Sequence, residues 1–310
     1  MTDPSTPLPA DFRCGYVTIV GAPNVGKSTL MNGLLGQKIS IVTNKPQTTR
    51  HKILGILSTD RYQAIFLDTP GIIRPVYQLQ QVMMQSAMAA VRDADVLLYM
   101  IDATNPGIHD DPGQTEAFKS LTHTRNPVFL LINKIDLVAR ENVLPIIDFY
   151  STKFTFNEIF PLSALRTEGT DDLLKAIVKM LPVHPPMYPL DIVSELNERF
   201  FVGEIIREKI FLKLREEIPY SATVDVTDFE ERQSGKWLIR ADIYVGRESQ
   251  KGMMIGKGGA MLKEIGQMAR KDIERFLDHQ VFLELFVKVR KDWREDQQAL
   301  KQLGYRPGTE

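Results

Sequence analysis

The sequence predicts an α/β protein in which a doubly wound domain of parallel strands is followed by a smaller α+β domain. Three observations support this prediction. Apolar runs alternate with helix-period segments from residue 16 to about 181, four prolines fall within residues 181–191, and the order of elements changes beyond them. Parallel strands have such uninterrupted apolar runs because both faces of their sheet are covered.

Length and composition limit the class of protein. A chain of 310 residues can hold two domains with separate cores. A net charge of −1 excludes a polycation, so any nucleic-acid site must be a local patch. The single cysteine, Cys14, excludes a disulfide framework, and the longest apolar run, residues 96–101, is too short to span a bilayer. No secretory signal is recognisable, and we therefore expect a cytoplasmic protein.

The elements of the first domain follow in alternation, as a doubly wound sheet requires. The strands are predicted at residues 16–21, 62–68, 96–102, 127–133 and 158–163. The helices are predicted at residues 27–36, 77–92, 112–122, 142–153 and 170–181.

A glycine-rich loop, GAPNVGKS at residues 21–28, joins the first strand to the first helix. Backbone N–H groups at such a junction converge on a phosphate group, and the glycines let the backbone approach it closely. Lys27 is expected to reach the β- and γ-phosphates, and the Ser28 hydroxyl to bind Mg²⁺. The other predicted nucleotide-binding residues of this loop are Gly21, Ala22, Pro23, Asn24, Val25, Gly26 and Thr29.

The segment DTPG, residues 68–71, closes the second predicted strand. Asp68 can reach Mg²⁺ through a water molecule, and the Gly71 N–H can contact a γ-phosphate. Thr69 and Pro70 complete the predicted contact. Taken alone, the segment could also be an ordinary turn, because Asp, Pro and Gly are turn residues.

The segment NKID, residues 133–136, specifies the base. Guanine presents two adjacent donors, N1–H and the N2 amine, and the Asp136 carboxylate can accept both, whereas adenine lacks them. Asn133 can tie this loop to neighbouring backbone, and the Lys134 stem can pack under the base. Ser163, Ala164 and Leu165 follow the last strand and would contact the guanine O6. These motifs predict a GTP-binding protein.

Residues 15–181 resemble a translation-factor-related GTPase domain, because GAPNVGKS, QTTRH, DTPG, NKID and SAL occur in its order. In such GTPases a threonine of the first switch completes the Mg²⁺ shell. Thr49 is the first choice and Thr48 the second, since spacing does not separate them. The predicted metal ligands are thus Ser28, Thr49 and Asp68, and the predicted catalytic residues are Lys27, Thr49 and Gly71.

Four residues of this domain bear on the rate of hydrolysis. Ile72 and Ile73 follow DTPG, where Ras-type proteins carry a glutamine that orients the attacking water. Isoleucine cannot do this, so slow hydrolysis stimulated by a partner is expected. Asn24 resembles the loop asparagine with which several GTPases of this group hold K⁺. Arg50 lies close enough to be considered as an arginine finger, but it is interpreted as a solvated surface residue.

The second domain is predicted to contain a helix at about 192–215, strands near 222–229 and 236–245, two helices within 249–279, and a strand at 281–290. A G-x-x-G loop between its two helices is typical of the KH domain, which grips about four nucleotides by their backbone. Residues 247–271 hold six basic and two acidic side chains, which adds local positive charge for RNA. The predicted RNA-binding residues are Lys251, Ile255, Gly256, Lys257, Gly258, Gly259 and Lys263.

The alternative for G-x-x-G is a plain turn between helices, and the neighbouring Met253, Met254 and Ile255 could offer bases a surface or belong to the core. Trp237 is predicted to pack in the core. Trp293 is predicted to be a surface or docking aromatic.

A GTPase domain, a proline-rich linker and a C-terminal type II KH domain together resemble the Era-type family of bacterial ribosome-assembly GTPases. The divisions are an N-terminal extension at 1–14, the GTPase domain at 15–181, the linker at 182–191, the KH domain at 192–291 and a tail at 292–310. The resemblance implies binding to small-subunit ribosomal RNA near its 3′ end, action in maturation of the small ribosomal subunit, a monomer, and a loose contact with the inner face of the membrane. The implied cofactors are GTP or GDP, Mg²⁺ and K⁺. The open alternatives are a constitutive RNA-binding adaptor that GTP stabilises, and a GTPase whose second domain binds protein or membrane.

Overall fold

The computed structural model describes residues 8–107 and 112–305, and it contains there two β-sheets with helices packed against them. The first sheet is formed by β1 (Arg13–Gly21), β2 (Ile53–Ser58), β3 (Tyr62–Asp68), β4 (Val96–Asp102), β5 (Val128–Asn133) and β6 (Glu158–Leu162). The strands are ordered β2-β3-β1-β4-β5-β6, and every neighbouring pair is parallel except β2 and β3. The five predicted strands are present.

The edge strand β2 is absent from the prediction. The turn that follows it is closed by the Thr59 hydroxyl, which accepts from the N–H groups of Arg61 and Tyr62 at 3.2 and 3.0 Å. So short a connection reverses the chain, and β2 must therefore run antiparallel to β3. Its apolar sequence ILGILS is the signal that could have revealed it.

Within the described residues, five helices cover the two faces of the first sheet: α1 (Lys27–Leu35), α2 (Gln78–Asp93), α3 (Glu116–Lys119), α4 (Val143–Lys153) and α5 (Thr170–Met180). α1 and α5 contribute to one apolar cluster, whereas α2, α3 and α4 contribute to another. This arrangement confirms the doubly wound fold. The helix predicted at 112–122 is reduced to the single turn of α3, with 3₁₀ turns on either side.

The second sheet consists of β7 (Thr223–Glu230), β8 (Trp237–Val245) and β9 (Val281–Val289) in that order, with β7 antiparallel and β9 parallel to β8. Its helices are α6 (Glu198–Lys213), α7 (Ile218–Ser221), α8 (Glu248–Ile255) and α9 (Ala260–Leu277), and α10 (Gln297–Gln302) follows the sheet. The helix predicted from about 192 begins at Glu198, because the Asn197 side chain accepts from the Phe200 N–H at 3.0 Å and caps it there.

The proline-rich segment between the two sheets lies against the first of them. The Gln63 side chain accepts from the N–H groups of Met187 and Tyr188 at 2.9 and 3.0 Å, and donates to the Tyr188 carbonyl at 2.9 Å. The Tyr16 and Tyr188 hydroxyls are 3.3 Å apart. The segment is therefore held by specific hydrogen bonds.

The C-terminal segment packs against both parts of the chain. Trp293 is 1% exposed, donates from its indole N–H to the Ser221 carbonyl at 2.9 Å, and stacks on Tyr305. Of the two predicted alternatives, a surface position is wrong and a docking position fits, because Trp293 packs in the apolar cluster around α2 together with Leu300 and Tyr305. The predicted N-terminal extension over residues 1–7 and the tail over residues 306–310 lie outside the described residues.

None of the helices within residues 8–107 and 112–305 combines the length and the apolar character needed to cross a membrane.

Candidate functional site

A cavity of about 390 Å³ lies at the carboxyl edge of the first sheet. At this edge β1 has β3 on one side and β4 on the other, so successive connections leave toward opposite faces and open a crevice. Motifs that are far apart in sequence meet here. The lining residues are Pro23, Asn24, Gly26, Lys27, Ser28, Thr29, Ile41, Val42, Thr43, Asn44, Gln47, Thr48, Thr49, Gly71, Asn133, Lys134, Asp136, Leu137, Ser163 and Leu165.

The glycine-rich loop has the conformation that the approach of a phosphate requires. Gly26 precedes α1 with φ 109°, and a Cβ at this position would lie 2.2 Å from the Asn133 amide nitrogen. No side chain caps the amino terminus of α1. Its first N–H groups and the positive end of the helix dipole are therefore available to an anion.

Lys27 is a buried cation beside this loop. Its Nζ donates to the carbonyls of Gly21 and Ala22 at 3.2 and 2.9 Å, and the residue is 6% exposed. Burial lowers the pKa of Lys27 to about 8, and the nearby Asp68 carboxylate opposes this shift. The side chain is therefore still charged at neutral pH, and an added phosphate would stabilise that charge.

Three oxygen-bearing side chains meet behind the lysine. Ser28 Oγ lies 3.0 Å from Thr49 Oγ1 and donates to Asp68 Oδ2 at 2.6 Å. Asp68 is fully buried, burial raises the pKa of its carboxyl, and its Oδ1 has no hydrogen-bond partner within the described residues. A buried carboxylate oxygen without a partner, beside two hydroxyl oxygens, fits the hard oxygen donors that Mg²⁺ takes.

The two neighbouring threonines of the switch differ in their surroundings. Thr49 lies beside Ser28, whereas the Thr48 hydroxyl donates to the Lys45 carbonyl at 2.7 Å and lies 2.6 Å from Thr43 Oγ1. Of the two alternatives that the spacing left open, the geometry favours Thr49.

Asn133 holds the base-side loops together. Its amide nitrogen donates to the Val25 carbonyl at 2.7 Å, and its oxygen accepts from the Ala164 N–H at 2.9 Å. One side chain thus joins the glycine-rich loop, NKID and the SAL segment. Lys134 extends with φ 66° and pairs with Asp102 at 2.5 Å. The Asp136 carboxylate lines the cavity and has Arg166 Nε 3.4 Å away.

The remaining predicted nucleotide residues do not line the cavity. They are Gly21, Ala22, Val25, Asp68, Thr69, Pro70 and Ala164. Val25 packs in an apolar cluster, and the Thr69 hydroxyl donates to the Ile19 carbonyl at 2.9 Å, so both side chains support the loops from behind. Ile72 is 6% exposed and packs against α2, which leaves no side chain at that position to orient water.

Gln47 is a cavity residue that the sequence analysis does not single out. It has φ 57°, and its Oε1 accepts from the Tyr77 hydroxyl at 3.3 Å and from the Gln80 amide at 3.2 Å. It therefore links the switch to the start of α2. Its place between Pro46 and Thr48 in KPQTTRH is the only sequence signal.

The switch also contacts the second part of the chain through Arg50. This side chain is 4% exposed and donates to the carbonyls of Pro219, Tyr220 and Ala222 at 3.1, 2.9 and 2.7 Å. The prediction of a solvated surface arginine was wrong, because its partners lie about 170 residues away in sequence.

Three further hydrogen bonds, from Lys45 and Val42, accompany those of Arg50. Lys45 Nζ donates to the carbonyls of Phe211 and Leu214, and the Val42 N–H donates to Glu208 Oε1 at 3.1 Å. The segment that leads to Thr49 is therefore attached to α6 and α7. No local motif predicts these contacts.

The G-x-x-G loop joins α8 to α9 as predicted, and Gly256, Gly258 and Gly259 all have positive φ, which side-chain-bearing residues adopt only with strain. Beside it runs a groove of about 420 Å³. Of the predicted RNA residues, Gly259 and Lys263 line the groove, Lys257 and Gly258 are exposed at the loop, and Lys251, Ile255 and Gly256 are half-buried beside it.

Several residues that line the groove are absent from the predicted RNA-binding residues. Arg270, Gln267, Leu283 and Leu285 also line the groove, and only the basic count over 247–271 hints at Arg270. Met254 is fully buried in an apolar cluster, so of the two alternatives for this side chain the core is correct.

Comparisons with known proteins agree with this geometry. Residues 16–134 match the family described as 50S ribosome-binding GTPase, and residues 217–294 match the KH domain. GTPase Era of Geobacter metallireducens is 47% identical over 95% of this chain and 98% of its own length, and GTPase Era of Clostridium beijerinckii is 43% identical over 96% and 99%.

Solved structures give the same result. A variant of Era from Aquifex aeolicus bound to GDP and AlF₄⁻ matches with TM-score 0.89 and 42% identity over 95% of this chain and 100% of that one. Era in complex with MgGDPNP and nucleotides 1506–1542 of 16S ribosomal RNA matches with TM-score 0.88 and 40% identity over 95% and 99%. The chain belongs to the Era family, and it is a GTPase that binds guanine nucleotides and carries a KH domain.

Proposed function

We propose that this protein is a GTP-driven switch that controls how its KH domain holds small-subunit ribosomal RNA near the 3′ end during maturation of the small ribosomal subunit. The observation that carries the proposal is the attachment of the switch. Thr49 lies at the nucleotide cavity, and the next residue, Arg50, donates to the carbonyls of Pro219, Tyr220 and Ala222, which lead into β7. The relative solved with 16S ribosomal RNA supports the choice of RNA.

The proposed division of the chain follows the sequence analysis. The GTPase domain comprises residues 15–181, the connection 182–191, the KH domain 192–291 and the C-terminal segment 292–310. The buried Trp293 and Tyr305 support a role for the last segment in joining the two domains, since both belong to the apolar cluster of α2.

Hydrolysis would depend on electrostatic stabilisation of the transferring phosphoryl group. Lys27 and the N–H groups of the glycine-rich loop and Gly71 supply positive charge and hydrogen-bond donors. Ser28, Thr49 and Asp68 would hold Mg²⁺, which neutralises charge on the phosphates. Because Ile72 cannot orient water, the intrinsic rate is expected to be slow until RNA or another partner completes the site.

Asn24 is proposed to hold K⁺ beside the phosphates. It lines the cavity with φ 64°, and its amide nitrogen donates to the Asn44 carbonyl at 3.0 Å, so its Oδ1 is left to face a cation. We expect faster GTP hydrolysis in K⁺ than in Na⁺ buffer, and Asn24→Ala should remove the difference. Equal rates of the unmodified protein in both buffers would overturn this assignment.

Equilibrium binding of an RNA oligonucleotide with the sequence of the small-subunit 3′ end tests the proposed function. A GTP analogue should tighten binding relative to GDP. The double variant Lys257→Asp, Gly258→Asp should lose binding in both states, whereas Thr152→Asp, Lys153→Asp on α4 adds the same negative charge at exposed positions and should not.

Each result of this measurement has a distinct meaning. Equal affinity with both nucleotides would favour the constitutive adaptor over the switch. Undiminished affinity of the Lys257, Gly258 variant would overturn RNA binding at the loop and favour a domain that binds protein or membrane.

We further propose that the protein acts as a monomer in the cytoplasm. A loose contact with the inner face of the cell membrane rests on the family resemblance alone. Co-flotation with anionic phospholipid vesicles tests it, and failure to float at low salt would overturn it.

A further inference from the structure

The second sheet has one face that no helix covers among the described residues. Ile239, Ala241 and Ile243 of β8 pack against α6 and α9 in an apolar cluster. The alternate positions of each strand point the other way because side chains alternate across a sheet. We call these positions the outer face: Asp225, Asp228, Glu230, Leu238, Arg240, Asp242, Tyr244, Phe282, Glu284, Phe286 and Lys288.

Two phenylalanines on the outer face are unusually exposed. Phe282 is 53% and Phe286 47% exposed, and both lie on β9, at the edge of the sheet. Phe282 pairs across the sheet with Leu238, and Phe286 with Asp242. Glu284 stands between them on the same side of β9, so this edge of the sheet presents two exposed rings on either side of one carboxylate.

The charge of the outer face selects the kind of partner. It carries five carboxylates and two cations, a net charge of −3. Lys288 is paired with Asp242 at 2.6 Å and Arg240 with Glu284 at 2.5 Å, so both cations are already engaged. Burial and the neighbouring Asp242 raise the pKa of the Asp225 carboxyl. RNA phosphates are repelled by this face and cationic groups are attracted.

The groove beside the G-x-x-G loop is basic, in contrast to the acidic outer face. It is lined by residues of α9, among them Lys263 and Arg270, and by Leu283 and Leu285, which alternate with Phe282, Glu284 and Phe286 along β9. The groove and the outer face are thus two sides of one strand, one basic and one acidic. RNA and a basic protein segment could bind the domain at the same time without competing.

We propose that the outer face docks a lysine- and arginine-rich protein segment that lies beside the RNA on the small ribosomal subunit. Guanidinium groups and lysine stems would pack on the rings of Phe282 and Phe286. Their charges would pair with Asp225 and with Glu230, whose exposed ion pair with Arg232 at 3.3 Å is weak enough to be exchanged. This inference rests on the proposed function in one respect, the location of the partner on the small ribosomal subunit.

The first test measures binding to purified small ribosomal subunits. The double variant Asp225→Lys, Glu230→Lys converts the net charge of the outer face from −3 to +1. We expect it to bind subunits about tenfold more weakly. Glu141→Lys, Asp148→Lys makes the same charge change at exposed sites of the GTPase domain and should not weaken binding. Both variants should keep their affinity for the short RNA oligonucleotide, which separates a failure here from a failure of RNA binding.

The second test identifies the partner. A photoreactive benzoylphenylalanine is placed at Phe286 of the full chain, and at the exposed Leu144 as a control, and is activated on small subunits with a GTP analogue. We expect position 286 alone to crosslink to a protein segment rich in lysine and arginine. A crosslink to RNA, to a second copy, to the GTPase domain of the same chain, or no crosslink would overturn the proposal, as would undiminished subunit binding by Asp225→Lys, Glu230→Lys.

Discussion

Replacement of Arg50 by alanine should uncouple the nucleotide from the RNA site. Arg50 donates three hydrogen bonds to the carbonyls of Pro219, Tyr220 and Ala222, and it is 4% exposed, so water cannot replace it freely. Hydrogen bonds from a charged donor are worth about 1.5 kcal/mol each, which gives about 4.5 kcal/mol for the three together. Coupling between two sites is typically about 1–3 kcal/mol. The energy lost with the three hydrogen bonds therefore exceeds the coupling free energy between the nucleotide site and the RNA site.

The assay is the ratio of RNA affinities with a GTP analogue and with GDP. For Arg50→Ala we expect the ratio to fall close to one while nucleotide affinity is retained, because Arg50 does not line the nucleotide cavity. Arg50→Lys keeps the charge but cannot reach three carbonyls, and should give an intermediate ratio. The exposed Arg61→Ala serves as the matched control. An unchanged ratio for Arg50→Ala would refute the coupling route.

Three further changes have distinct expected results. Asp136→Ala should reduce the preference for GTP over ATP in competition binding by about 10³–10⁴, and a retained preference would contradict the role of its carboxylate. His51 is stacked on Tyr305, and burial lowers its pKa to about 4. Between about pH 6.5 and 4, His51 is therefore protonated in the unfolded chain and neutral in the folded chain. Stability should therefore fall as the pH drops from 6.5 toward 4 by up to about 1.4 kcal/mol per unit, and His51→Phe should flatten this dependence in urea unfolding, unlike a change at the exposed His184. Trp293→Ala should lower the free energy of unfolding by about 3–5 kcal/mol, against less than about 1 kcal/mol for the half-exposed Phe286→Ala, and equal small losses would show that Trp293 does not join the domains.

Sequence reasoning located the nucleotide motifs because each has a local cause. GAPNVGKS needs a strand before it and a helix after it, and both were visible in the apolar pattern around residues 16–36. It missed β2, whose pairing depends on a turn at Thr59. It also left open whether Thr48 or Thr49 faces the nucleotide, because the direction of two adjacent side chains is set by the folded backbone.

The error at Arg50 and the alternatives that stayed open at Met254 and Trp293 have a common physical reason. A lone arginine, methionine or tryptophan has no local pattern that reveals what covers it, and each is buried by segments distant in sequence. By itself the sequence determined a guanine-nucleotide site, a G-x-x-G loop and the two folds that carry them, since backbone geometry and hydrogen-bond chemistry fix those motifs over a few residues. Only the tertiary structure decided how the two sites are joined, because that depends on carbonyls, ring faces and carboxylates brought together by folding across some 170 residues of chain.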